Sequence, residues 1–144
     1  GHSTKDALEM LDAKLKGYDL ITPGMEKVGL TGEAGRMWRV ENIVRTNTMK
    51  AFNHTRSTEF EKVKTHISAY QYSAILDSRI SPLCRALDKK VFKPSEISDI
   101  QPPNHYQCRS IIVPIFEDEP FEFSDMPATE KDSGDFLKLK ETKK

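Results

Sequence analysis

Near Ile67 the hydrophobic pattern changes its period, and that change limits what the chain can fold into. Before it, Met37, Val40, Val44 and Ala51 step by three, four and seven residues, which puts them on one helix face. No Gly or Pro interrupts residues 36–65, so the spacing predicts one long helix there. After it, Tyr70, Tyr72 and Ala74 alternate with Gln71 and Ser73, and Ile75-Leu76 follow, as in a strand. Val91-Phe92, after the turn-prone Asp88-Lys89-Lys90, reads as a second short strand. Ile111-Ile112-Val113 is a third, closed by Pro114 and therefore near a sheet edge. The expected fold class is α+β: N-terminal helices, with one long helix packed on a small antiparallel sheet. The strands should fall near 69–76, 90–92 and 110–115.

The flanks differ in character. Gly1-His2-Ser3 is the kind of remnant that a cleaved affinity tag leaves, so residues 1–3 are set aside. Leu8, Leu11 and Leu15 predict a short helix over 4–16, stopped by Gly17. Residues 17–35 hold Gly17, Pro23, Gly24, Gly29, Gly32 and Gly35 and read as a loop, so 4–35 is an N-terminal helix and Gly-rich loop. Residues 36–116 form the core domain. From Glu117 to Asp135 there are eight acidic residues against one Lys, broken by Pro120, Pro127 and Gly134. Residues 117–144 therefore read as an acidic tail, docked early through Phe121 and Phe123 and mobile and partly disordered late.

Apolar residues are 37% of the chain, below the ~45–50% of average globular chains, so the core must be compact. No apolar run approaches the ~18 residues of a spanning helix, and no membrane role is expected. Lys+Arg 22 balances Asp+Glu 22, so partners must be read from local charge. The long helix carries seven cations against three acids, net +4, which makes Arg45, Lys50 and Arg56 candidate phosphate contacts. The blander reading is a solvated helix face balanced by the tail.

The sharpest chemical cluster is Cys84, His105 and Cys108. His105-Tyr106-Gln107-Cys108 is a His-x2-Cys pair, and Cys84 follows Ser81-Pro82-Leu83 in a turn of its own. Thiolates and imidazole at such spacing suit tetrahedral zinc. The fourth ligand is open among Asp77, Asp88, His66 and water. Two buried thiols and a His packed without metal, or a Cys84–Cys108 disulfide formed on oxidation, are the alternatives. Asp77, Arg79 and Asp88 flank the Cys84 turn, either as a charged site with Asp77 as base or as an Asp–Arg pair that holds the loop. No phosphate-binding glycine loop, His-Glu-x-x-His or Gly-x-Ser-x-Gly occurs.

Two segments carry a family resemblance. Asp77-Ser-Arg79-Ile-Ser-Pro-Leu-Cys84-Arg-Ala-Leu87-Asp88-Lys-Lys-Val91-Phe92 forms one half of a signature. Pro102-Pro103-Asn104-His105-Tyr-Gln-Cys108-Arg109-Ser110 with Ile112-Val113-Pro114-Ile115 forms the other, and Arg45 to Arg56 matches the preceding helix. Over about residues 38–116 the chain resembles the tailed-phage head morphogenesis proteins, the phage Mu F-like minor head proteins. The chain departs from the family where Lys89 replaces a frequent Gly and Tyr106-Gln107 a frequent Pro-Asn. Ser81 and Ser110 stand where some members carry Cys. The resemblance implies a minor capsid protein of a phage or prophage, resident in the virion head interior and assembled in the bacterial cytoplasm. It implies portal and head proteins as partners, a part in DNA packaging or ejection, and structural roles for Arg79, Asn104 and Arg109. The competing expectations are a small metal-dependent nucleic-acid-processing enzyme using His105, Asp77 and Arg79, and a DNA binder using the basic helix. A catalytic His105 should face an open cleft, whereas a structural one should be tied to Cys84 and Cys108.

Overall fold

A computed structural model of the chain describes residues 3, 6, 10, 32–131 and 136–140. The helix expected over 4–16 lies outside the described residues except at Asp6 and Met10, both helical, and the loop over 17–31 lies outside them altogether. The next stretch, free of Pro throughout and of Gly after Gly35, folds as α1, Gly32–Lys62. The helix thus starts inside the segment read as loop. Gly32 and Gly35 cost about 1 kcal/mol each in a helix interior, but at the first turn the amides lack helical partners in any case, and Glu33, Ala34 and Met37 carry the turn. It also stops short of residue 65. The Val63 amide donates to Phe60 and the His66 amide to Val63, and Lys64–His66 tighten into one 3₁₀ turn.

The chain divides into two compact units, residues 1–48 and 49–144, with the boundary inside α1. In the first, Val40 is fully buried, as the spacing predicts, and the polar Asn42 and Thr46 are buried too. In the second, the expected apolar position Ala51 is exposed and Asn53 is buried instead. The reason is the partner. The Asn53 side-chain amide donates to the Ser110 carbonyl at 3.3 Å, and the Arg56 guanidinium donates to the Ile112 carbonyl at 3.1 Å. Helix side chains here meet backbone acceptors, so polar residues occupy the contact face.

Those acceptors lie on a sheet edge. Strand β1, Ile67–Ser73, is central between β2, Val91–Phe92, and β3, Ile111–Phe116, and both pairings are antiparallel. Tyr72 sits opposite Ile112 and Tyr70 opposite Phe92 and Pro114. Strand β3 runs through Pro114 to Phe116, close to the expected 110–115. Residues 110, 112 and 114 share one parity, and the first two turn their carbonyls outward to α1. Pro114 therefore turns its missing N–H away from the ladder and costs no sheet bond. Covering this edge with a helix also blocks strand addition.

One sheet face holds the main core, where Tyr70, Tyr72, Phe92 and Ile112 pack with Leu83, Cys84, Leu87, Ile100 and Cys108. Leu83, Cys84 and Leu87 come from α2, Pro82–Leu87, and Ile100 from α3, Ile97–Ile100. On the other face Ala69, Val91 and Ile115 are covered by Phe121, so the tail docks early as expected. The Ser124 amide donates to the Val91 carbonyl at 2.8 Å and fixes that docking. The later tail departs from expectation. Strands β4, Thr129–Lys131, and β5, Leu137–Leu139, pair antiparallel, and Leu137 and Leu139 pack on the main core against α2. Two leucines in a charged segment suffice, because alternation places both on one side of β5.

Candidate metal centre

Ser81 and Pro82 explain why Cys84 sits where it does. Ser81 is the helix cap of α2: its Oγ accepts from the Cys84 amide at 3.2 Å, and Pro82 supplies the first helical residue. The cap holds Cys84 in the first turn, facing β1. Opposite, the His105 carbonyl accepts from the Cys108 amide at 3.3 Å, closing a four-residue turn whose third residue, Gln107, has φ 55°. That turn aims His105 and Cys108 back at Cys84.

The three side chains converge, as their spacing predicts. The Cys84 and Cys108 sulfurs are 3.9 Å apart, hydrogen-bonded and not joined by a disulfide, and His105 Nε2 lies 3.1 Å from Cys84 Sγ. All three donor atoms fall within 4.8 Å of one another. Two thiolates on a tetrahedral zinc at about 2.3 Å each would lie about 3.8 Å apart, so the sulfurs already stand at that separation. His105 Nδ1 meets the Tyr106 carbonyl at 2.8 Å, and a carbonyl only accepts, so Nδ1 carries the proton and Nε2 is directed at the sulfurs. A ring N–H donated to a backbone carbonyl is the usual support of a metal-bound imidazole.

The surroundings suit sulfur anions. Asn104 donates its side-chain amide to Tyr72 Oη at 3.1 Å and to the Ile100 carbonyl at 2.9 Å. Tyr72 Oη thus has its own hydrogen free for Cys84 Sγ, 3.3 Å away. Hydrogen bonding from Cys108, then from His105, Ser110 and Ser81, holds the Cys84 thiol below the ordinary range. The same bond from the other side, with burial, pushes the Cys108 thiol up. One anion is therefore stable here and a second, 3.9 Å away, requires a cation. The bond to Cys84 raises the His105 imidazole, and burial raises the Tyr72 phenol. Soft donors in this number and geometry are able to hold zinc.

The other candidates go elsewhere. Asp77 Oδ1 takes the Arg109 guanidinium at 2.7 Å and the Arg79 amide at 2.9 Å, while the Arg79 side chain is exposed and 4.0 Å from the carboxylate. The partner that holds the loop is thus Arg109. That bond, with the Arg79 amide, lowers the Asp77 carboxyl to about 2. Asp88 accepts from the Ala74 amide at 2.8 Å, and neither acid joins the three-residue group. Arg45 pairs with Glu41 at 2.7 Å, Arg56 is spent on Ile112, and Lys50 is exposed. His66 is exposed. Tyr72 is the site residue that spacing does not find, since alternation gives its face but not its neighbours.

With this geometry in view, comparison with known families is decisive. The family model described as Phage Mu protein F like protein matches residues 16–113, well over half of the chain, including every residue of the centre. The chain belongs to this Mu F-like family. It is thereby a phage head morphogenesis protein. No curated protein and no solved structure matches it. Among the described residues of this Mu F-like chain, no helix is long and apolar enough to cross a membrane.

Proposed function

We propose that this Mu F-like chain is a minor head component of a tailed phage or prophage. It works as an interaction module, joining portal and head proteins during morphogenesis and contacting DNA on its way in or out. Zinc on Cys84, His105 and Cys108 clips the two halves of the core together. The observation that carries this reading is the position of His105. One ring nitrogen is given to the Tyr106 carbonyl and the other to Cys84, so the imidazole ties a loop and has no nitrogen left for a substrate. Family membership supplies the setting.

The test is a deletion in the phage that encodes the chain, with the gene supplied in trans. Loss should leave heads that assemble poorly or carry DNA they fail to deliver, and purified heads should contain a few copies of the protein. The isolated chain should show no turnover on nucleic acid. Metal-dependent nuclease activity that vanishes in His105→Ala while the fold is retained would overturn the structural reading.

A further inference from the structure

Zinc takes four ligands, and Cys84, His105 and Cys108 supply three. Among the described residues no other Cys, His or carboxylate joins the group. Asp77 and Asp88 are held by Arg109 and by the Ala74 amide, so each would have to abandon a good partner to reach it. Two of the three donors, Cys84 and His105, line a cleft of about 10 Å³, close to the room one water requires. Cys84, His105, Ser81, Gln107, Arg109 and Ser110 border it. Serine hydroxyls are poor zinc ligands beside thiolate and imidazole, but they hydrogen-bond a bound water well.

From this cleft we infer that the metal's fourth ligand is a solvent molecule, exchangeable for a small monodentate anion. The inference rests on the metal reading above and adds an open coordination position to it. Arg79 and Arg109 both line the cleft; Arg109 is paired with Asp77, so the exposed Arg79 side chain, 4.0 Å from that carboxylate, supplies the positive charge that favours an anion over a neutral ligand. Ser110, buried and bordering both Cys84 and the cleft, is the side chain best placed to close the position if it were a thiol.

Cobalt(II) loaded onto the full chain under reducing conditions tests this, because its visible bands report ligand number and type. The expected result is a four-coordinate spectrum with a sulfur-to-metal charge-transfer band, whose ligand-field bands shift on addition of azide. Ser110→Cys should strengthen the charge-transfer band and abolish the azide shift. A four-coordinate cobalt spectrum that ignores azide would overturn the open position and leave the metal reading standing. No such spectrum at all would overturn both. Should Ser110→Cys fail to fold, judged by circular dichroism, the azide titration of the unaltered chain decides alone.

Discussion

At Lys89 and Gln107 the backbone takes φ 62° and 55°, a region that costs an ordinary L-residue about 1–2 kcal/mol. Each is the third residue of a tight turn, Leu87–Lys90 and His105–Cys108, closed by an amide-to-carbonyl bond. Turns with positive φ at that place favour Gly or Asn, and Pro at the second place. Turn geometry alone would therefore prefer Gly at Lys89 and Pro-Asn at Tyr106-Gln107. Lys89→Gly should stabilise the protein by about 0.5–1 kcal/mol, since relief of the penalty exceeds the added freedom of the unfolded chain. Thermal unfolding should show this as a rise of a few degrees. Lys89→Ala, which keeps the Cβ, should show no gain. Asp77 gives a second test. Its carboxyl titrates lower in the fold than in the unfolded chain, so its contribution is full above about pH 4 and is lost as pH falls towards 2. Urea unfolding across that window should show a pH-dependent loss that Asp77→Asn reduces.

Between elements, the contact of α1 with β3 rests on polar bonds. Arg56 donates to the Ile112 carbonyl and lies between Phe52 and Phe60, with its guanidinium 5.6 and 5.2 Å from their ring centres. Arg56→Met keeps much of the apolar stem but leaves the carbonyl without its donor, so stability should fall by about 1.5–3 kcal/mol, read from the urea midpoint. Arg56→Lys should not restore it fully, because an ammonium lacks the flat face that the guanidinium sets against Phe52 and Phe60. Such contacts also mark how far sequence can be read. Strand β1 announced itself through alternation, β2 through the turn before it and β3 through a β-branched run, with Pro114 signalling an edge. Helix α2 did not, because six residues are too few to show a period, although Ser81-Pro82 is a cap and a first helical residue. The tail hairpin was illegible for a similar reason: three-residue strands among charges carry almost no pattern. In the site, His105-x2-Cys108 was legible because its two residues are close in sequence. The Arg109–Asp77 and Asn104–Tyr72 bonds each span 32 residues, a distance no local pattern reports.

On the scale of the whole molecule, local charge gives weak grounds for DNA binding. Arg45, Lys62 and Lys64 are paired within α1 or just beyond it, and Arg56 is spent on the sheet. Any affinity for duplex DNA should be slight and disappear between about 50 and 200 mM salt. The metal offers the stronger test. If zinc binds the folded centre and not the unfolded chain, its binding energy adds directly to stability. Free zinc at about a hundred times its dissociation constant would add about 2.7 kcal/mol. Chelation should therefore lower the unfolding temperature of reduced protein, and Cys108→Ser should remove the zinc response. The location matters as much as the size. Cys84 belongs to the signature half that ends at Phe92, His105 and Cys108 to the half that begins at Pro102, and Tyr72 of the central strand touches Cys84. Zinc should thus slow amide hydrogen exchange in 81–88 and 104–112 together. A gain confined to one of the two segments would mean that the ion does not join them, and the clip would have to be abandoned even if zinc were bound.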